Sequence, residues 1–350
     1  MFRPPLTETT PSATNSKNMA QTASHMGGAT PKKPWKRYGD IMSDSIEYLT
    51  RRSQGSLKSL KTQWPTFNKI GLDGIEWQSL YVIAARPGVG KTLIAASLTR
   101  ELQVLNRDQD FAVLHFQFEM LGRNMAMREL SSATNMNIRY MQSAQDDGLP
   151  PLTAADLKRL EEYASKQHTR EEFVIDKPLS VSQMEDVIVS FHNDVRKPVV
   201  ITLDHTLLVK QGASETSRQQ TLQNLATMMT ETKNKLPVTF LILTQLNRDI
   251  DDAERQKPGM LSNYPTEADV FGSDYLLQCA DVMIAYNRPA KYNLALYGPQ
   301  RFEITDKYLL AQHVLKNRFG EPAIYWYKAM YETMTIAEAP VPRMIPKKIT

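Results

Sequence analysis

Between Arg86 and Thr92 the chain reads Arg-Pro-Gly-Val-Gly-Lys-Thr, a run whose residue types suit the binding of a phosphate chain. A phosphate cradle needs backbone N–H groups that converge at the start of a helix, so the chain must turn tightly through small residues. Gly88 and Gly90 supply that freedom on either side of Val89, and Pro87 stiffens the turn that Arg86 enters. Lys91 would then reach the β- and γ-phosphates, and the Thr92 hydroxyl would ligate Mg²⁺. The run departs from the pattern G-x-x-x-x-G-K-[ST] at Ala85, where the pattern has glycine. That departure matters only if the position needs a positive φ, where alanine is strained. The competing reading is a glycine-rich turn with an incidental lysine.

Phosphate chemistry needs further groups at the same edge. The apolar run "PVVITL" ends at Asp204, which places a carboxylate where open α/β sheets bind ligands and makes it the candidate to organise Mg²⁺. Glu119 follows "FAVLHFQF" and is the candidate to orient or deprotonate an attacking water, although a lone Glu is more often an ordinary surface residue. Gln245 closes "FLILTQ" and offers a neutral amide able to sense a γ-phosphate and pass its presence to the following loop. That loop, 247–274, is long and polar, and is expected to be functional or without regular structure. Lys316 and Arg318 alternate in "LKNRFG", so both project from one strand face. They read either as solvated cations or as finger residues aimed at the γ-phosphate of a neighbouring subunit, which would demand a ring or a filament.

Such residues need rigid elements behind them. The runs "LYVIAA", "FAVLHF", "PVVITL", "PVTFLIL" and "DVMIAY" are apolar without alternation, as strands buried on both faces are. Helical segments are expected between most of them, at 92–106, 122–133, 154–167, 182–195 and 215–235. In the last, Leu222, Leu225, Ala226 and Met229 fall on one face. The alternation predicts an α/β fold with a phosphate-loop core, its central sheet mainly parallel and flanked by helices. The segment "LLAQHVLKNRFGEPAIYWYKAM" predicts two further strands joined at a Gly turn on one sheet edge. Residues 1–38 read as a disordered tail rich in Thr, Ser and Pro, and 39–56 as a linker helix carrying Ile41, Ile46 and Leu49. The α/β domain is expected over 57–335, with a Pro-rich basic tail at 336–350.

The formal net charge of +4 permits a nucleic-acid partner without arguing for one. Cys279 is the only cysteine, which rules out an intrachain disulfide and a Cys-rich zinc site and suits a reducing compartment. No run of about 18 apolar residues is present, and the N-terminus has no apolar segment after its basic residue, so neither a membrane span nor secretion is expected.

From about 57 to about 328 these blocks, in order, resemble the C-terminal ATPase domain of DnaB-type replicative helicases, a branch of the RecA-like motor fold. "LYVIAARPGVGKT" is similar to the family's first motif, where A-R-P-x-x-G-K-T is usual, so Ala85 lies within the family's habit. "FQFEM" followed by "MRELSS" resembles the segment that carries the catalytic glutamate, here Glu119, with Arg128 in its Met-Arg pair at the nucleotide. "VIDKPLSVSQMED" and "ITLD" resemble the Mg²⁺ strand and its approach, while "TQLNR" and "QCADVMIAYNRP" are similar to the sensor strand and the strand beyond the DNA loop. "LKNRFG" fits the K-x-R-x-G finger motif, which implies that Lys316 and Arg318 act in trans.

The resemblance implies ATP and Mg²⁺ as cofactors and a homo-hexameric ring with active sites at subunit interfaces. It implies 5′-to-3′ translocation on single-stranded DNA with duplex unwinding, and a primase or loader as a further partner. Arg255, Lys257, Gly272 and Ser273 are then the candidate DNA contacts, gripping the backbone without reading bases. Three departures stand out. Phe271 and Gly272 occupy positions where the family commonly has Arg-Glu, and His205 stands where Tyr is usual and is expected to pack rather than catalyse. The helical N-terminal domain of full-length bacterial relatives is not represented, which resembles some phage-encoded helicases and implies the cytoplasm, of a host if so encoded. Alternatives remain. A RadA- or KaiC-like ATPase shares "KNRFG" but not the other motifs, and a DNA-binding loader or scaffold would not need Glu119, Lys316 and Arg318 together. A phosphate-loop kinase would need a lid and no finger pair.

Overall fold

The computed structural model describes residues 35–143, 148–257 and 262–346, which fall into two compact units, 1–57 and 58–350. In the first, helix α1 spans Tyr38–Ser53, with Asp40 in its first turn and Arg51 and Arg52 in its last, the charge order that suits a helix dipole. Gly55, at φ +69, closes it, and the N–H groups of Ser56 and Leu57 donate to the Arg51 carbonyl. Ile41, Ile46 and Leu49 on this helix are exposed. Most of the expected N-terminal tail, 1–34, lies outside the described residues.

The second unit opens with the short helix α2 (Pro65–Asn68) and then strand β1 (Leu80–Ala85). Helices α3 (Lys91–Thr99) and α4 (Leu102–Leu105) lead to β2 (Ala112–Gln117), and α5 (Gly122–Thr134), α6 (Ile138–Met141) and α7 (Ala154–Gln167) to β3 (Glu172–Ile175). Next come α8 (Val181–Val195), β4 (Val199–Asp204), α9 (Arg218–Lys235), β5 (Val238–Gln245), α10 (Ser273–Cys279) and β6 (Val282–Asn287). A two-stranded ribbon, β7 (Leu296–Tyr297) and β8 (Phe302–Glu303), precedes β9 (Leu309–Asn317), β10 (Ala323–Met330) and β11 (Thr335–Glu338).

Nine strands form one sheet in the order β11-β10-β9-β6-β1-β5-β4-β2-β3. The six strands from β6 to β3 in that order run parallel, while β9, β10 and β11 add an antiparallel edge. Every residue of β1 is buried, and its side chains alternate between two cores. Tyr81, Ile83 and Ala85 enter the cluster with Leu93, Ile94 and Leu98 of α3, whereas Leu80, Val82 and Ala84 enter the cluster with Leu222, Leu225 and Met229 of α9. Apolar side chains are thus needed at successive positions, which is why the run does not alternate in sequence. Helices α7 and α8 are started by capping boxes, Thr153 with Asp156 and Ser180 with Gln183.

Three expectations are corrected. The helix foreseen at 92–106 breaks after Thr99, whose hydroxyl donates back to the Ala95 carbonyl, and resumes only as α4. The foreseen helix start at 215 belongs instead to the approach to α9. There the Glu215 carboxylate accepts from the Gly212 N–H and the hydroxyl of Thr221. Residues 336–346, read as tail, are built into the domain. β11 pairs with β10, Phe302 bridges Met344, and the Ile345 N–H donates to the Arg301 carbonyl. No described helix is long and apolar enough to cross a membrane.

Candidate functional site

The run 86–92 links the carboxyl end of β1 to the first turn of α3. Ala85 is the last residue of β1, fully buried, in register with Gln245 and Tyr286, and absent from the positive-φ residues. The left-handed positions are Gly88 (φ +79) and Gly90 (φ +98). The position where the pattern asks for glycine therefore has extended backbone here, and alanine costs nothing. A Cβ on Gly88 would meet nothing within 4 Å, so the loop arches over open space.

Two buried charged side chains near this loop each leave an atom without a hydrogen-bond partner among the described residues. Lys91 is 7% exposed, and its Nζ has no hydrogen-bond partner among the described residues. Burial pulls its ammonium below the ordinary lysine range, opposed by the carboxylates of Asp204 and Glu119. Asp204, 3% exposed, accepts through Oδ2 from the Thr92 hydroxyl at 2.7 Å and from Gln117 Nε2 at 3.1 Å, while its buried Oδ1 is unpartnered among the described residues. A buried ammonium and a buried carboxylate oxygen are expensive to leave unanswered. The residues present fit a phosphate chain at Lys91 and a hard divalent cation between Thr92 and Asp204. No cluster of three or more His, Cys, Asp or Glu that could hold a metal exists among the described residues.

Glu119 stands exposed two residues past the end of β2. The intervening Phe118 donates its N–H to the Asp204 carbonyl at 2.8 Å, which ties the backbone next to Glu119 to the end of β4. Arg128, on α5, lines a narrow cleft with Thr92, Leu93 and Ser97. His205 follows Asp204. Burial and the nearby Lys91 hold its imidazole down at about 4, and its Nδ1 accepts from the Leu207 N–H, so it acts as a neutral turn cap.

The loop after β5 is more ordered than its composition suggests. Leu246 pairs with Val270, the Asn247 N–H donates to Asp269 at 2.6 Å, and the Phe271 N–H donates to Gln245 at 2.8 Å. Phe271, unaccounted for by sequence, packs against the core shared with α9. Arg255 donates to both oxygens of Asp269 and to the carbonyls of Ser262 and Tyr264, so its guanidinium staples the loop instead of standing free. Lys257 is exposed and paired with Glu254. Gly272, at φ +69, caps α10, which begins at Ser273; residues 258–261 lie outside the described part of the loop.

Lys316 and Arg318 come together at the far end of the sheet. Lys316 Nζ donates to the Leu277 carbonyl, and Arg318 forms an ion pair with Asp281 at 2.9 Å, its side chain half exposed. Lys316 is in register with Met283, which is in register with Val82, whereas the phosphate loop leaves β1 at Ala85. Three positions along a strand are about 10 Å, so the pair is set apart along the strand direction from the start of this chain's own phosphate loop.

Sequence reasoning missed several contacts to the loop. Tyr331 donates its hydroxyl to the Val89 carbonyl at 2.9 Å, and the Arg288 guanidinium lies 4.8 Å from its ring centre. Lys291 donates to the Pro87 carbonyl at 3.1 Å, and Arg86 pairs with Asp251. These partners lie far along the chain and meet the loop only through the fold, so they carried no sequence signal.

The model of the DnaB-like helicase C-terminal domain family matches residues 59–332. Among curated relatives, the replicative DNA helicase DnaB of Buchnera aphidicola subsp. Baizongia pistaciae is 23% identical over 256 residues, covering 73% of this chain and 52% of the relative. That of Geobacillus stearothermophilus is 23% identical over 252 residues, 71% of this chain and 51% of the relative. The chain thus spans about half the length of the curated relatives it matches. Among solved structures, one described as an ATPase domain superposes with a TM-score of 0.70 at 18% identity, covering 85% of this chain and 99% of that one. A DnaB-like replicative helicase, described with its interactions with primase, gives 0.69 at 18% identity, over 87% of this chain and 72% of that one. The sheet and its flanking helices match the RecA-like ATPase domains of DnaB-like helicases.

Proposed function

The chain belongs to the DnaB-like helicase C-terminal domain family, and from that premise we propose that it is the ATP-driven motor of a replicative DNA helicase. It assembles as a homo-hexameric ring and couples ATP hydrolysis to 5′-to-3′ translocation on single-stranded DNA and unwinding of the duplex ahead. The observation that carries this reading is the pairing of a Lys91–Asp204 site with unpartnered buried atoms and a cation pair set apart from it along the strands. One chain holds half of a phosphoryl-transfer site at one end of its sheet and the complementary half at the other.

In this reading Lys91 and the loop's backbone N–H groups hold the β- and γ-phosphates, and Arg128 flanks the nucleotide. Thr92 and Asp204 would hold Mg²⁺, which when bound supplies positive charge against the transferring phosphoryl oxygens. Glu119 orients and deprotonates the attacking water, and Gln245, in register with Ala85, senses the γ-phosphate. Lys316 and Arg318 reach the γ-phosphate held by the next subunit, where developing charge is met by fixed cations. Asp281 holds Arg318 ready without burying it. With Arg255 committed inside the loop, the DNA backbone falls to Lys257 and to the start of α10 at Gly272 and Ser273. The exposed Ile41, Ile46 and Leu49 give α1 an apolar face for a neighbouring subunit. A primase or loader is a further partner, and the setting is cytoplasmic.

Strand displacement on a forked duplex with ATP and Mg²⁺, alongside particle imaging, tests the reading. We expect rings and displacement by the wild-type chain and no displacement by Lys91→Ala. Neither rings nor displacement, with DNA and nucleotide both present, would overturn it.

A further inference from the structure

Arg86 is the residue of the phosphate loop whose side chain the chemistry of phosphate binding leaves unexplained. Its guanidinium is 14% exposed and is spent within the chain. Nε donates to Asp251 Oδ2 at 2.7 Å, Nη2 lies 2.5 Å from the same oxygen, and Nη1 donates to the Leu246 carbonyl at 3.0 Å. The other oxygen of Asp251 accepts from the hydroxyl of Tyr292, and the adjacent Lys291 donates to the Pro87 carbonyl. Arg86 and Tyr292 therefore hold one carboxylate between them. Burial would push the Asp251 carboxyl up, but the hydrogen bonds from Tyr292 and Arg86 outweigh that and hold it below the ordinary carboxylate range.

The partners of this cluster come from two places. Tyr292 and Lys291 belong to the turn after β6, and Asp251 closes the 3-10 turn Arg248–Asp251 that follows β5. That turn leads into the polar loop. From Leu246 and Asn247 the backbone bonds continue to Val270 and Asp269, and Asp269 is gripped by Arg255. An unbroken series of charge-assisted and backbone hydrogen bonds thus runs from the side chain beside Pro87 to the described loop segments 247–257 and 262–272. Such charge-assisted bonds are short, directional and about twice as strong as neutral ones, and strengthen one another in a half-buried setting. Gln245 reaches the same loop through its backbone carbonyl, which accepts from the Phe271 N–H.

We propose that Arg86, Asp251 and Tyr292 form a latch that ties the position of the phosphate loop to that of the loop segments 247–257 and 262–272, and that Asp251 and Tyr292 are positioning residues for coupling nucleotide state to DNA grip. The inference rests on the motor reading above. In it, nucleotide entering beside Pro87 shifts Arg86, Asp251 follows its ion partner, and the 3-10 turn carries the shift into the strand pairing that fixes Asp269 and Phe271.

Asp251→Asn and Tyr292→Phe each weaken the latch without touching the groups beneath the phosphate arch. Two readouts on the full-length chain separate the proposal from the motor reading. The first is ATP hydrolysis with and without oligo(dT). We expect each variant to keep its DNA-free turnover and its KM for ATP, and to lose about five- to tenfold of any stimulation by DNA, the size of an ordinary coupling between two sites. The double variant should lose no more than the worse single one, since both act through one carboxylate. The second is amide hydrogen exchange across 262–272 with and without ATPγS and Mg²⁺. Wild type should show a nucleotide-dependent change there, and Asp251→Asn should not. A nucleotide-dependent change that survives in both variants, or none in wild type, overturns the latch. So does a loss of DNA-free turnover equal to the loss of stimulated turnover, which would make the contacts merely structural. If wild-type ATPase ignores DNA while the exchange change is present and vanishes in Asp251→Asn, the latch stands and the motor reading is what fails.

Discussion

Lys91 brings a positive charge into a place where the described chain has nothing to receive it. Its Nζ is buried and unpartnered, and Asp204 and Glu119 act on it only through space. Nearby, Asp204 keeps one oxygen for Thr92 and Gln117 and leaves the other unbonded. Groups arranged for a ligand in this way are usually a burden on the empty fold. Replacing Lys91 by Met removes the unanswered ammonium while keeping most of its apolar length. We expect the nucleotide-free variant to melt higher than wild type, by a few degrees for about 1 kcal/mol. It should also show no thermal shift with ATP and Mg²⁺. Paired melts with and without nucleotide check this; a variant that melts lower when nucleotide-free would mean that Lys91 supports the fold itself.

The elements show what sequence pattern makes visible and what it does not. The five inner strands are legible because burial on both faces forces continuous apolar runs, as in Leu80–Ala85. β3 escapes such reading because it is a four-residue edge strand whose Phe173 and Val174 stay exposed, so it lacks that signature. β11 is hidden by the prolines that follow it, although a strand at the sheet's outer edge tolerates such neighbours. The polar loop looks structureless in sequence because its order comes from Arg255 on Asp269 and from backbone pairing of Leu246 with Val270, neither of which has a period. In the same way Lys91, Thr92, Asp204 and Glu119 can be named from their places after strands, but Asp251, Tyr292 and Tyr331 cannot, because they meet the phosphate loop only once the sheet is assembled.

Gly272 belongs with this group. Sequence singles it out as a DNA contact, yet its φ of +69 and the 2.8 Å that would separate a Cβ from Leu222 Cδ1 give it a steric task at the start of α10. Gly272→Ala should destabilise the domain by about 1–3 kcal/mol through left-handed strain and displacement of the buried Leu222. Urea unfolding checks this, and a change too small to measure would show that the turn relaxes freely.

For the whole molecule, the sheet sets the phosphate loop and the Lys316–Arg318 pair apart along its strands. The phosphate loop leaves the carboxyl end of β1 at Ala85, and Lys316 and Arg318 sit three or more positions toward the other end, held by the last carbonyls of α10 and by Asp281. A surface that offers a receptor at one end and its complement at the other generates a head-to-tail contact, which closes into a ring when the rotation permits. The central claim is therefore that each active site is shared by two copies of the chain.

The most direct test mixes two variants, Lys91→Ala and Arg318→Ala, and measures ATP hydrolysis after subunit exchange in the presence of single-stranded DNA. Each variant alone should be nearly inactive. In an equal mixture about a quarter of the interfaces join an intact Lys91 to an intact Arg318 from its neighbour, so hydrolysis should return to roughly that fraction of wild type. If Arg318→Ala alone hydrolyses ATP normally in the assembled state, or if exchanged mixed assemblies recover nothing, Arg318 does not complete a neighbouring site and the shared-site account is wrong.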